Sequence, residues 1–384
     1  MSKRYLVYLP TVEGDLEDEI KQCLQQINKS ILSGLLPVKL NFFADFPDYM
    51  TFVESRGKLL SLISCELGNS LPAVNISVHP PEKPWKVVVE GTFITKGSMK
   101  FMSSSYESVN YVVLESENRK ELWAAGISSY QDPENTGKAA ESAFEIMKGL
   151  LEKEHMSLDH IVRQWNYIGN ILAVSEGVQN YQAFNEVRND YYTRYRRVAG
   201  YPAATGVGMK HGGVILDFCA VVPGKSLLIK PVHNPNQVNA YNYSQQVLVG
   251  KKQESGQVKH APQFERALLM ADGDEVVLHI SGTASIIGQK TMGKDDVAEQ
   301  TIVTLENIKK LVDTERLNLL IPGTFPYHAV NSLFRVYIKK QEDFPVVRKI
   351  CREHFPKLSA IFIEADICRD DLLMEIEAEA EPGM

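Results

Sequence analysis

Three glutamates near the end of the chain are placed for acid–base work. In the run Leu372-Leu373-Met374-Glu375-Ile376-Glu377-Ala378-Glu379, acids alternate with apolar or small residues. That is the period of a β-strand, so Glu375, Glu377 and Glu379 share one face. Turned to water they are ordinary carboxylates. Turned into an apolar enclosure, one of them keeps its proton near neutral pH and can serve as a general acid. Cations stand elsewhere in the chain. Arg188 follows Tyr181 by seven residues in NYQAFNEVR, two helical turns, so both project from one helix face. Arg266 sits in FERA behind Phe264, with Tyr243 upstream. An arginine fork matches a carboxylate bidentately, whereas on an open surface the same residues make only weak ion pairs. Arg163, beside Trp165, reads as a structural anchor. Cys368, seven residues before Glu375, reads as a small buried hydrophobe.

Other chemistries find little support. The nine histidines form neither an HxH nor an HExxH pattern, so no metal site is expected. The glycine-rich run GVGMKHGG (206–213) lacks the strand-GxxxxGK(S/T)-helix context of a phosphate loop and reads as a strand and hairpin turn. With 41 basic against 48 acidic residues and a net charge of -7, the chain is a poor match for nucleic acid. No apolar run approaches the roughly 20 residues of a membrane helix, and the start lacks a secretory core. Five scattered cysteines without a CxxC pair argue against a disulfide framework and predict a cytoplasmic location.

These side chains need a scaffold, and 384 residues suggest two or three domains. A strand at Tyr5–Leu9 precedes a helix over 16–32, whose apolar stripe is Ile20, Leu24, Ile27 and Ile31. Val74, Ile76 and Val78 alternate as a strand, and KVVVEGTF reads as another. Prolines 80, 81 and 84 between them mark a boundary, giving an N-terminal α/β extension over 1–84. The remainder tells one story twice. A Gly/Ser turn at Gly126 leads to a helix from Thr136, then a strand at 161–168, the helix YQAFNEVRNDYYTRY, a Tyr201-Pro202 turn and two strands. The second telling runs from HISGTASIIG through a helix near Asp295, a segment at 334–338, the helix PVVRKICREHF, a Phe355-Pro356 turn and two final strands. Matching landmarks lie 154 to 160 residues apart. The duplication predicts domains at 85–230 and 231–384, each an α+β unit with helices packed on one face of a mixed β-sheet. Clefts between such units are natural ligand sites.

The repeat unit resembles the YjgF/Rid (reactive-intermediate deaminase) fold through Phe355-Pro356 and the ending Glu375-Ile376-Glu377. Segments 163–168 (RQWNYI), 180–188 (NYQAFNEVR), 202–208 (PAATGVG), 234–243 (NPNQVNAYNY), 264–267 (FERA), 281–288 (SGTASIIG) and 366–377 (DICRDDLLMEIE) resemble the chorismatase family in order. That family is built from degenerate YjgF-like units. The resemblance implies an enzyme that cleaves the enolpyruvyl ether of chorismate to pyruvate and a hydroxybenzoate or a dihydroxycyclohexadiene carboxylate, without a cofactor. It implies Glu375 as the general acid, Tyr181, Arg188, Tyr243 and Arg266 as the substrate-binding set, and Cys368 as the product-determining position, where cysteine accompanies 3-hydroxybenzoate. The chain departs from the family at Asn236, usually arginine, and at Gln289, usually histidine. The stretch between Tyr243 and Arg266 is also longer. Two other readings are a Rid-type enamine or imine deaminase, opposed by the lack of an arginine from Phe355 to Ile367, and a non-catalytic small-molecule-binding protein of the same fold. Rid proteins assemble as trimers, so a homotrimer and a monomer are both expected possibilities.

Overall fold

The computed structural model describes residues 3–68, 71–129, 135–175, 177–248, 259–273, 275–321, 332–357 and 359–380. Part of the long stretch after Tyr243 lies outside them.

The first unit runs β1 (Arg4–Tyr8), α1 (Leu16–Leu32), β2 (Leu35–Ala44), α2 (Tyr49–Leu67), β3 (Ala73–Val78) and β4 (Val87–Thr95). Its four strands lie in the order β1-β4-β2-β3. The second unit comprises β5 (Lys100–Tyr106), β6 (Val109–Glu115), β7 (Arg119–Ile127), α3 (Thr136–Lys153), β8 (Ile161–Gly169), a short hairpin β9–β10 (Val174–Ser175, Val178–Gln179), α4 (Asn180–Tyr195), β11 (Ala203–Met209) and β12 (Val214–Pro223). The third comprises β13 (Leu228–Val232), β14 (Ala267–Asp272), β15 (Glu275–Ala284), a hairpin β16–β17 (Ile286–Ile287, Lys290–Thr291), α5 (Val297–Val312), α6 (Thr314–Leu320), β18 (Leu333–Ile338), α7 (Phe344–His354), β19 (Ser359–Glu364) and β20 (Met374–Ala380).

The two later sheets share one order, β5-β6-β7-β12-β8-β11 and β13-β14-β15-β20-β18-β19. Strand for strand, β1-β4-β2-β3 repeats the last four positions, with the same parallel pair, β2 with β3, β8 with β11 and β18 with β19. The N-terminal segment is therefore a third copy that lacks the two outer strands. This corrects the expectation of two copies plus an extension. The expected boundary at residue 84 falls inside the first unit, because β4 inserts between β1 and β2 beyond the proline run. The expected boundary at 230 falls inside β13, which hydrogen-bonds to β14 of the third sheet.

Helices cover one face of each sheet. In the second unit α3 packs Ala140, Phe144, Met147 and Leu151 against strand residues such as Ile168 and Phe218, and α4 adds Phe184. In the third, Leu305, Ile308 and Val347 do the same against Val336 and Ile376. The opposite sheet faces meet each other at the centre. The units touch cyclically, β3 against β7, β11 against β15 and β19 against β1.

Buried ion pairs repeat around this centre. Equivalent cross-strand positions hold Asn41–Glu90, Trp165–Asp217 and Arg335–Glu377. Each acid of these pairs takes a cation from a neighbouring unit. Lys39 pairs with Asp217 at 2.9 Å, Arg163 with Glu377 at 2.5 Å, and Arg335 with Glu90 at 2.7 Å. Charges in a low-dielectric interior persist only when so paired, and each pair specifies which unit sits beside which. Two register positions further, on the same face, Phe43–Val88, Tyr167–Ile215 and Tyr337–Glu375 are equivalent. Only the third unit places an acid there.

Candidate active site

Of the three glutamates on β20, two are committed to structure. Glu377 accepts hydrogen bonds from Arg163, Arg335, Trp165 and Tyr337, and from the Thr205 hydroxyl. Burial alone raises its pKa, but Arg163 and Arg335 outweigh that and hold the carboxyl below its usual range. Glu379 is paired with Arg163 at 3.1 Å and with His279. All three acids are buried, so the solvated-face reading does not hold.

Glu375 differs. It is 5% exposed, and among the described residues it makes no ion pair or hydrogen bond. Desolvation pushes its carboxyl up to about 8, the ionised Glu377 adds to the push, and Arg266 opposes it. It is therefore mostly a neutral acid at pH 7.

The carboxyl faces a cleft between the second and third units, about 700 Å³ of empty space that includes its opening to solvent. Its walls include Tyr181 and Asn185 from α4, Gly206 from β11, Gly282 from β15, Tyr243, Phe264 and Arg266 from the long loop, and Cys368, Arg369 and Leu372 before β20. Two glycines open it. A Cβ on Gly282 would stand 2.0 Å from Glu375 Oε1, and one on Gly206 would stand 3.2 Å from the Tyr181 ring. The Gly282 position lies where the β15–β20 register shifts, as Gly126 does in β7. The sequence signal read as a turn is thus an irregularity within a strand.

The wall carries unneutralised positive charge. Arg266 is 2% exposed, and its Nη2 donates to the Val238 carbonyl at 2.6 Å and to the Tyr243 hydroxyl oxygen at 2.7 Å. Its Nε has no partner, and no carboxylate pairs with it among the described residues. Tyr243 accepts from Arg266, so its own O–H proton is free to donate to a ligand. Burial drives the Tyr181 phenol upward and the Cys368 thiol to about 12, so both stay protonated. Cys368 is a neutral wall group here, not a thiolate.

Five of the six residues singled out from the sequence line this cavity: Tyr181, Tyr243, Arg266, Cys368 and Glu375. Arg188 does not. Its buried guanidinium donates to Asn185 Oδ1 at 2.6 Å, packs 5.4 Å from the Phe184 ring, and leaves Nε without a partner. It acts on the cavity through Asn185 and through its charge. Asn185 was legible in principle, four residues after Tyr181 on the same helix face. Arg369 carried no such signal because it lies in a loop. The two departures have structural roles: Asn236 Nδ2 donates to Asn307 at 3.3 Å, and Gln289 Oε1 accepts from the Ser244 N–H at 2.8 Å. Among the described residues no group of three His, Cys, Asp or Glu side chains converges as metal ligands would. No described helix is long and apolar enough to cross a membrane.

A buried neutral acid facing a cationic, partly aromatic cavity defines an enzyme site for a small anionic substrate. Relatives narrow this class. Residues 104–220 match the profile described as chorismatase FkbO/Hyg5-like, N-terminal. A 3-hydroxybenzoate synthase of Streptomyces hygroscopicus is 34% identical over 62% of this chain and 68% of its own length. A chorismatase of Streptomyces rapamycinicus is 32% identical over 56% of this chain and 63% of its own. A crystal structure of a chorismatase superposes over 99% of both chains with a TM-score of 0.66 at 20% identity, which shows a common fold. The chain belongs to the chorismatase family.

Proposed function

We infer that this chain is a chorismatase that cleaves the enolpyruvyl ether of chorismate to pyruvate and a hydroxybenzoate, with 3-hydroxybenzoate favoured. The relative named 3-hydroxybenzoate synthase supports that product. The observation that carries the mechanism is the buried, unpaired Glu375 carboxyl, raised to about 8, on the wall of a cavity that also holds Arg266.

Chorismate has two carboxylates and an enol ether. Glu375 delivers its proton to the terminal methylene carbon, and positive charge develops at the adjoining ether carbon. The ring's 4-hydroxyl oxygen adds to that oxocarbenium-like carbon and leaves C4. The bond from the same carbon to the C3 oxygen breaks, so that pyruvate departs with the former 4-hydroxyl oxygen. Loss of the C3 proton then aromatises the ring to 3-hydroxybenzoate. In the dihydroxycyclohexadiene outcome water adds to that carbon instead, and the 4-hydroxyl stays on the ring. Chorismate has the composition of pyruvate plus 3-hydroxybenzoate, so that outcome consumes no water; the dihydroxycyclohexadiene carboxylate takes up one. Once the proton has left, the Glu375 carboxylate faces the developing cation and Arg266, which oppose the cost of its burial. Arg266 holds one substrate carboxylate, and the Tyr181 and Tyr243 hydroxyls orient the ring. Arg188 adds positive potential through Asn185. Cys368, beside Glu375, shapes the space in which the ring fragment chooses its fate.

The test is direct. Purified protein incubated with chorismate releases pyruvate above the uncatalysed background, and chromatography of the mixture shows 3-hydroxybenzoate. Absence of pyruvate removes the proposal. The five cysteines are all free, in keeping with a reducing cytoplasm. Three units within one chain complete the ring internally, which supports a monomer as the working unit.

A further inference from the structure

Arg369 is a cation that neither the strand pattern nor the helix pattern marks. It stands in the turn between β19 and β20, next to Cys368, and lines the cavity with Arg266 and Glu375. Its guanidinium lies 5.0 Å from the centre of the Tyr243 ring, and that of Arg266 lies 5.6 Å from the same ring. One tyrosine thus spaces two guanidinium groups at the cavity wall. Neighbouring acids are engaged elsewhere, Asp370 with Lys339 at 3.0 Å, and Asp371 with Lys294 at 3.5 Å and Thr291 at 3.0 Å. Among the described residues no carboxylate pairs with Arg369. Both arginines also act electrostatically on the Cys368 thiol, which places them on the same side of the site.

A single residue organises this wall. Arg369 Nη1 donates to the backbone carbonyl of Gln289 at 2.8 Å. The Gln289 side chain turns the other way, and its Oε1 accepts from the N–H of Ser244 at 2.8 Å, the residue that follows Tyr243. Gln289 lies in the β16–β17 hairpin, whose strands pair Ile286 with Thr291 and Ile287 with Lys290. The hairpin is therefore a short rigid brace, gripping Arg369 with its main chain and the Tyr243 segment with its side chain. Two like charges sharing one wall repel each other when the cavity is empty, and a dianion relieves that repulsion. Arg188, screened by Asn185, cannot offer a bare fork to a ligand in this geometry.

We propose that Arg369 is the second carboxylate clamp of this cavity, standing beside Arg266 on the same wall, and that Gln289 is the positioning residue that holds the Tyr243 segment with its side chain and Arg369 with its main chain. This rests on the chorismatase reading. A charged hydrogen-bonded contact of this kind contributes about 1.5–3 kcal/mol, which is roughly a 10- to 100-fold change in affinity.

The experiment measures pyruvate release from chorismate by wild-type protein and by Arg369→Ala, Arg369→Lys, Gln289→Ala and the Arg369→Ala/Gln289→Ala pair. Arg369→Ala raises KM about 10- to 100-fold with a much smaller change in kcat, because the contact is made equally in ground and transition states. Arg369→Lys keeps the charge but loses the fork, and raises KM severalfold. Gln289→Ala keeps the main-chain carbonyl that grips Arg369 but frees the Ser244 N–H and with it the Tyr243 segment. It therefore raises KM in the wild-type background, and does so less once Arg369, which packs on the Tyr243 ring, is gone. A KM within twofold of wild type for Arg369→Ala overturns the proposal while leaving the chorismatase reading intact. If Arg369→Ala fails to fold, an unchanged KM in Arg369→Lys overturns it instead. Full additivity of the double variant overturns the positioning role of Gln289. A wild-type protein that releases no pyruvate removes the chorismatase reading, and the proposal with it.

Discussion

The proposed proton donor has a signature in pH. With the Glu375 carboxyl at about 8, roughly nine-tenths of it is protonated at pH 7 and about one-tenth at pH 9. If protonated Glu375 is the active form, kcat/KM for chorismate stays nearly flat from pH 6 to 7.5. It then halves near pH 8 and is about tenfold lower at pH 9 than at pH 7. An ordinary glutamate, near 4.5, would already lose tenfold for each unit above that value. Glu375→Gln keeps the shape and removes the proton, and it lowers kcat by about 10²–10⁴-fold. Stability falls in the same direction. A raised folded-state pKa means that the stability tied to this group is fully present below pH 4.5 and lost as pH rises through 8. The shift of about 3.5 units corresponds to about 5 kcal/mol at full ionisation. Glu375→Gln cannot ionise, so its melting temperature gains on wild type between pH 5 and pH 8. Initial rates of pyruvate release across pH, with thermal melts of both proteins, read both effects. A descending limb centred below pH 6, or a glutamine variant that keeps wild-type kcat, refutes the assignment of Glu375 as the acid.

Three further outcomes follow from the same geometry. Gly282→Ala drives a methyl group to within 2.0 Å of Glu375 Oε1, so pyruvate release falls at least 100-fold while circular dichroism and melting change little. Arg266→Ala raises KM by about tenfold or more and, because Arg266 lowers the Glu375 pKa, moves the descending limb of the rate profile to higher pH. A limb that stays in place or moves downward contradicts that coupling. Arg163→Ala strands Glu377 and part of Glu379 in a buried site, and equilibrium urea unfolding shows a loss of about 3–5 kcal/mol. A loss below 1 kcal/mol would show that the central ion pairs do not hold the units together.

Local pattern carried much of the architecture. Helical spacing alone predicted α1 at Leu16–Leu32, and the paired landmarks located the matching strands of the second and third units. The third copy was hidden because β2 is nearly continuous in burial and so lacks alternation. The apolar moment of α2 is weak, with only Phe52, Leu59, Ile63 and Leu67 buried among its 19 residues. The lack of the two outer strands further disguises the first unit. The prolines at 80, 81 and 84 suggested a break where the chain only turns back into its own sheet.

The sequence by itself determined which residue types were available and which faces they shared: three acids on one strand face, and Tyr181, Asn185 and Arg188 along one helix. Only the tertiary structure decided among them. The difference between Glu375 and Glu377, two residues apart on one face, is that five hydrogen-bonding partners from two units (Arg163 and Trp165 from β8, Thr205 from β11, Arg335 and Tyr337 from β18) reach one and leave the other bare. Those partners come from positions 40 to 214 residues away. No local pattern encodes such distances, because a pKa in a folded protein depends on solvent exclusion and on charges brought near by packing. For the same reason Arg188 fell behind Asn185 while Arg369, in a loop without periodicity, came to the cavity wall.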